Sequence, residues 1–246
     1  MDAKKEIENV VNWIREWFEK NGPRANAVIG LSGGKDSTIV AMLLVKALGR
    51  ERVIGVLMPN GEQKDIQDSI TVAEALGINY HIKNIADAYK GILSQFDDPS
   101  EDTKINIAPR LRMTMLYAIA QSQPHGGMVI NTCNRSEDYV GYSTKFGDAA
   151  GDMSPCSGFL VTEMLQLGEE LIKEFPGVPY ELIHKTPSDG LSGKSDEDKL
   201  GFTYAELDKY VLTGEISDPK TKELIDRKHK ANLHKLQLMP MYHRES

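Results

Sequence analysis

The chain predicts an α/β fold: a doubly wound, mostly parallel sheet with helices on both faces. Three observations carry that expectation. Short apolar runs alternate with longer amphipathic ones between Ala27 and Asn131, the pattern of repeated strand–helix units and so of a parallel sheet covered on both sides. The first unit passes from apolar strand to apolar helix through Ser32-Gly33-Gly34. Polar and turn-forming residues follow other apolar runs, at Pro59-Asn60-Gly61 and Asn131-Thr132, and strand ends of this kind are where such sheets bind ligands.

Each element follows in order. Ile7, Val10, Val11, Ile14, Trp17 and Phe18 share one helical face, and Gly22-Pro23 stops that helix. A strand over Ala27–Leu31 leads into a helix over Ser37–Leu48, and a strand over Arg52–Met58 into a helix over Asp65–Leu76. A strand near Asn79–Ile82 precedes a helix near Ile85–Phe96, and a long helix from Ile105 to Gln121 leads to a strand at Met128–Asn131. Beyond Asn134 the pattern is less regular. Residues 141–158 and 186–201 carry too much Gly, Asp and Ser for core and are expected to be mobile loops that order over substrate. Helices near Thr162–Phe175, Thr203–Leu212 and Pro219–His234 complete what reads as a single domain over residues 1–246.

Composition narrows the function. A net charge of −7 argues against sequence-independent binding of nucleic acid, and 40% hydrophobic residues suffice for a large core. Cys133 and Cys156 have neither metal-ligand spacing nor a disulfide framework, which points to a reducing cytoplasm. The amphipathic, charged N-terminus lacks the apolar stretch of a secretory leader, and no run is long enough to span a membrane.

Ser32-Gly33-Gly34-Lys35-Asp36-Ser37 is the most informative stretch. A helix opening after two glycines aims unpaired N–H groups and a positive dipole end at one point, which is an anion site. The spacing is not that of a Walker A loop. It resembles the loop of the ATP pyrophosphatases, which split ATP between the α and β phosphates. Ser32 and Ser37 can donate hydroxyls to phosphate and Asp36 can hold magnesium; the plain alternative is a tight turn with a helix cap. A second carboxylate for the metal is Glu137, which also stands where a capping box begun by Asn134 would place it. Arg110 and Arg112 can clamp phosphate or carboxylate or pair with surface acids, and Tyr117 can stack on a ring or join the core.

Five motifs then occur in order: Ser-Gly-Gly-Lys-Asp-Ser, Arg-Leu-Arg-Met, Asn-Thr followed by Glu137, Thr-Lys-Phe-Gly-Asp and Leu-Gly-Phe-Thr-Tyr. Together, over about residues 1 to 235, the chain resembles the ammonia-dependent NAD synthetases, a family with the Rossmann-like ATP pyrophosphatase fold. The resemblance implies ATP-dependent amidation of deamido-NAD by ammonia through a deamido-NAD adenylate, with Mg2+ as cofactor. It implies that Ser32, Gly33, Gly34, Lys35, Asp36, Ser37, Met58, Arg112 and Thr132 bind ATP, and that Asp36 and Glu137 share the metal. Asn106, Arg110, Tyr117, Lys145, Asp148 and Asp152 would face deamido-NAD, with Lys145, Asp148 and Asp152 in the catalytic role and Asp148 positioning ammonium and taking its proton. The family is a homodimer, and the apolar helix Ile105–Gln121 suits that state. No glutaminase domain with a catalytic cysteine precedes the core, so free ammonia or a separate glutaminase is expected. Relatives carry a phosphate-binding lysine where this chain reads Phe159-Leu160-Val161-Thr162-Glu163; Lys185 or Lys194 would have to replace it.

Two rivals stand beside that reading. A tRNA-thiolating ATP pyrophosphatase would use the same loop, with Cys133 near the site, but the acidic charge and the lack of paired cysteines or an RNA-binding appendage count against it. A nucleotide-binding sensor would not need both metal carboxylates.

Overall fold

The computed structural model describes residues 1–63, 66–185, 195–242 and 244. In chain order the elements are α1 (Ala3–Asn21), β1 (Asn26–Gly30), α2 (Lys35–Leu48), β2 (Val53–Leu57), α3 (Ile66–Leu76), β3 (Asn79–Ile82), α4 (Ala86–Leu93), α5 (Glu101–Gln121) and β4 (Gly127–Ile130). Then come α6 (Arg135–Val140), α7 (Val161–Leu171), α8 (Tyr180–Ile183), α9 (Asp196–Leu200), α10 (Tyr204–Thr213) and α11 (Pro219–Asn232).

The four strands are parallel in the order β3-β2-β1-β4. The chain therefore runs outward from β1 to β3, then crosses back to place β4 on the other side of β1. That reversal opens a crevice beyond the C-terminal ends of β1 and β4. Alternation along the strands divides the core. Ala27, Ile29, Val53, Leu57 and Ile130 face α1, α2, α3 and α7, while Val28, Ile54, Val56 and Val129 face α4 and α5. β1, β2 and β4 are thus apolar on both faces, as a sheet with helices on both sides requires, while the edge strand β3 is mostly exposed. A third cluster, with Val140, Val161, Leu200, Phe202, Leu207 and Ile225, packs α6, α7, α9, α10 and α11 together.

Helix boundaries follow local chemistry. The long helix begins four residues before the expected Ile105, because Ser100 caps it by accepting from Thr103 N at 3.2 Å. Pro109 lies inside it, so the carbonyl of Ile105 loses its usual helical donor.

Residues 141–158 depart from expectation. Met153 and Cys156 are buried in the main core despite the polar composition around them. The segment docks on the free edge of β4: Asp152 N donates to Val129 O at 2.7 Å, and Asn131 N donates to Met153 O at 2.9 Å. The Asn131 amide staples it further, donating to the carbonyls of Asp148 and Ala150 at 2.7 and 2.9 Å. An edge strand needs backbone partners, and a Gly/Asp/Ser-rich segment supplies them as well as any other. In the second expected loop, residues 186–194 lie outside the described residues, and Asp196–Leu200 form α9 behind a Ser195 cap.

Candidate active site

The floor of the crevice is the turn from β1 into α2. Gly33 takes φ of 74°, and a Cβ on it would lie 2.7 Å from Asp68 Cβ and 2.9 Å from Ser69 N. Only glycine serves there, for backbone angle and for space alike. Gly34 caps α2, which starts at Lys35, two residues before the expected start. Ser32 and Ser37 face each other with hydroxyls 3.1 Å apart, and Gly34 N donates to Ser32 Oγ at 3.2 Å. The loop therefore gathers two hydroxyls and the unpaired N–H groups of a 14-residue helix.

Asp36 lies in the first turn of α2. Its Oδ2 accepts from Lys35 Nζ at 2.7 Å, and its Oδ1 accepts from Asn134 Nδ2 at 3.3 Å. Asn134 caps α6 by accepting from Glu137 N at 3.0 Å, as the capping reading expects. The reciprocal half of a capping box is not made. Glu137 instead faces Asp36, Lys35 and Asp196, and burial, followed by the Asp36 charge, pushes its carboxyl up to about 8. Burial works against the charge on Lys35 but is outweighed by Asp36 and Glu137, so its pKa is raised. Among the described residues no group of three or more His, Cys, Asp or Glu has the arrangement of a metal site. The Asp36–Glu137 pair nonetheless fits magnesium: its donors are hard oxygens, few in number, beside the N-terminal turn of α2.

Asp196 and Tyr204 also reach this corner, which sequence reading did not foresee. Asp196 is buried and accepts from Tyr142 OH at 3.1 Å. Tyr204 was legible only as the last residue of a motif; its hydroxyl is buried and makes no hydrogen bond among the described residues.

A second group lines the wall formed by α5 and the 141–148 turn. Asn106 Oδ1 accepts from Thr144 Oγ1 at 2.7 Å, and Arg110 Nε donates to Lys145 O at 3.2 Å. Lys145 Nζ donates to His234 O at 2.8 Å, and Asp148 Oδ1 accepts from Thr144 N at 2.8 Å. The protein around Asp148 desolvates it and raises its pKa, although the residue itself keeps an exposed face, against the pull of the Thr144 hydrogen bonds and of Arg112. Arg112 Nε donates to Met58 O at 3.1 Å, and burial lowers its pKa. Met58 and Thr132 thus flank the phosphate loop at the ends of β2 and β4. Asn106, Arg110, Lys145 and Asp148 come together as expected.

Tyr117 and Asp152 form a separate pair about 10 Å further along α5. Asp152 Oδ1 accepts from Tyr117 OH at 3.2 Å, and Oδ2 accepts from Val129 N at 2.7 Å. Both carboxylate oxygens are therefore engaged within the protein. Burial and Asp152 push the Tyr117 phenol up to about 12. Lys185 approaches the phosphate loop from the other side, with Nζ 2.7 Å from Asp68 Oδ2, beside Gly33. Lys194 lies outside the described residues. Cys133 is buried with its Sγ 3.3 Å from Asp148 O, and burial lifts its pKa well above that of an ordinary thiol. It is thus a poor source of thiolate, which counts against sulfur transfer. Among the described residues no helix is long and apolar enough to cross a membrane.

The likeness to known proteins extends over the whole of this architecture. A family model described as NAD synthase matches residues 6–245. The NH(3)-dependent NAD(+) synthetase of Finegoldia magna is 38% identical over 238 residues, covering 96% of this chain and 94% of that protein. The structure of an NMN synthetase from Francisella tularensis matches with a TM-score of 0.88 at 35% identity, covering 98% of this chain and 99% of that one. An NH3-dependent NAD synthetase from Campylobacter jejuni matches with a TM-score of 0.79 at 25% identity, covering 99% and 100%. A phosphate loop alone would place the chain only within a superfamily, but these matches run through every element that walls the crevice, and the chain belongs to the NAD synthase family.

Proposed function

We infer that the protein makes NAD by ATP-dependent amidation of deamido-NAD with ammonia. The observation that carries this reading is a phosphate-binding turn facing the Asp36–Glu137 pair on one side and the Asn106–Arg110–Lys145–Asp148 wall on the other, in a chain of this family. In the first step a nicotinate carboxylate oxygen attacks the α-phosphorus of ATP. The bond to the bridging oxygen breaks and pyrophosphate leaves with the electron pair. In the second step the ammonia nitrogen attacks the acyl carbon, AMP leaves, and the nitrogen loses a proton.

The residues divide this work. Ser32, Ser37 and the N–H groups of α2 hold the departing pyrophosphate, with Lys185 replacing the lysine missing near Val161-Thr162. Met58, Arg112 and Thr132 border the adenosine. Asn106, Arg110 and Lys145 orient the nicotinate-bearing substrate, with Tyr117 and Asp152 fixing the strand edge beside it. Asp148, whose pKa is raised, accepts the proton from ammonium or from the tetrahedral adduct. Asp36 and Glu137 would hold Mg2+, which would supply charge neutralisation for the reaction at the α-phosphate. The reading includes a homodimer through α5, whose Leu111, Met115 and Tyr117 keep exposed surface.

A second reading concerns the substrate's length. The Francisella NMN synthetase matches this fold with the higher TM-score and identity of the two solved structures, which favours a mononucleotide acid as the species amidated. One experiment separates them. The protein is given ATP, Mg2+ and ammonium with either deamido-NAD or nicotinate mononucleotide, and kcat/KM is compared. The first reading requires preference for deamido-NAD with AMP formed in equal amount; preference for the mononucleotide establishes the second, and turnover of neither refutes both.

A further inference from the structure

Lys35 is the unexpected member of the phosphate loop. A lysine in such a turn is expected to reach outward to phosphate, yet here it turns inward. Its side chain is only 4% exposed, with Nζ 2.7 Å from Asp36 Oδ2 and 5.8 Å from the centre of the Tyr204 ring. Glu137 and Asp196 complete the negative surroundings that act on it. The ammonium thus sits among the carboxylates that suit a metal. A divalent ion and an ammonium a few ångströms apart repel, so each weakens the other's hold on these carboxylates.

The same corner shows that another occupant belongs in it. The Tyr204 hydroxyl is buried, faces Glu137, Asp196 and Asp36, and has no hydrogen-bond partner among the described residues. A buried hydroxyl left unpaired is costly, and a cation with its shell of water would satisfy it. Lys35 itself can only donate, and its ammonium is directed at Asp36 rather than at Tyr204 oxygen.

We propose that Lys35 is a built-in counter-cation: it occupies the Asp36–Glu137 pair in the nucleotide-free enzyme and yields it only to a divalent ion arriving with nucleotide, whose phosphates take the ammonium in exchange. This inference rests on the metal assignment above. It makes metal binding conditional on nucleotide and keeps the buried carboxylates compensated between turnovers. It also unites two properties of Lys35, its place in an ATP loop and its burial against Asp36.

Binding of Mn2+ to nucleotide-free protein, followed by the loss of the free-ion signal in electron paramagnetic resonance, tests this without turnover. Lys35→Met is expected to bind Mn2+ at least about tenfold more tightly than wild type, equivalent to ~1.4 kcal/mol. Adding Glu137→Gln to that variant should abolish the gain, and Mn2+ should raise the melting temperature of Lys35→Met more than that of wild type. Equal Mn2+ affinity in wild type and Lys35→Met overturns the proposal. If Lys35→Met does not fold, Lys35→Gln serves; if neither folds, wild type decides. Its affinity for Mn2+ must then rise when α,β-methylene-ATP is bound, beyond the analogue's own affinity for the ion, and no rise overturns the proposal. Tightened Mn2+ binding in a protein that amidates no nicotinate nucleotide would leave the Lys35 assignment standing and sink the substrate reading alone.

Discussion

Replacing Gly33 by alanine probes the phosphate loop where backbone and packing act together. At φ of 74° an alanine is in the left-handed region, at a cost of about 1–2 kcal/mol. The added methyl would sit 2.7 Å from Asp68 Cβ and 2.9 Å from Ser69 N. The second atom is backbone, so the loop or the first turns of α3 must move, adding about 1–3 kcal/mol as overpacking does. Alanine also restricts the unfolded chain, returning about 0.4–1 kcal/mol. The expected net loss is about 1–4.6 kcal/mol, measured by urea denaturation with the fluorescence of Trp13 and Trp17. The loop's N–H groups would be displaced as well, so the stabilisation conferred by ATP should fall by more than the unfolding midpoint accounts for. A loss below about 1 kcal/mol with ATP stabilisation intact would refute the claim that this glycine is required by angle and space.

Three other substitutions test the supports of the site. Asp208 is buried beneath α7, accepting from Ser136 Oγ and from Thr162 N at 2.8 Å; Asp208→Asn sets an amide against two donors and should cost about 2–4 kcal/mol by urea denaturation. Asp152→Asn removes the charge that accepts from Val129 N and Tyr117 OH. It should cost about 1–2 kcal/mol and lower the Tyr117 pKa from about 12, as read by phenolate absorbance. Glu206 closes the box with Thr203 that starts α10 and sets Tyr204, and hydrogen bonds from Thr203 hold its pKa below 4.5. A carboxyl lowered on folding contributes stability above its unfolded pKa and loses it as pH falls through the folded value. Glu206→Gln should therefore flatten the acid limb of thermal stability below about pH 4.5 and leave its slope at neutral pH unchanged.

The parallel sheet and the phosphate turn were legible because they rest on local patterns: apolar runs, a glycine pair, helical periodicity. Glu137 was singled out beside Asp36 by its segment after the Asn131-Thr132 strand end and by the family motif, not by any local pattern of its own. Asp196 was not legible, because Ser195-Asp196 opens a short helix within a stretch whose composition reads as loop, and its hydrogen bond from Tyr142 spans 54 residues of sequence. Residues 141–158 misled for a related reason. Met153 and Cys156 are buried along with Thr144, Pro155 and two glycines, and the attachment is made by backbone bonds to β4 and by the Asn131 amide, which leave no trace in hydrophobicity. Asp152 read as a substrate residue by its place in a motif, yet its oxygens hold Val129 and Tyr117. The inward turn of Lys35 depends on three acids from distant parts of the chain, so neighbouring residues carried no hint of it.

In the proposed reaction the carboxylate of a nicotinate nucleotide attacks the α-phosphorus of ATP in the crevice between β1 and β4. Deamido-NAD carrying heavy oxygen in that carboxylate tests it directly, with mass spectrometry of the nucleotide and pyrophosphate products. One heavy oxygen in each AMP formed, and none in pyrophosphate, is the predicted result. Unlabelled AMP, or ADP in its place, would contradict the account.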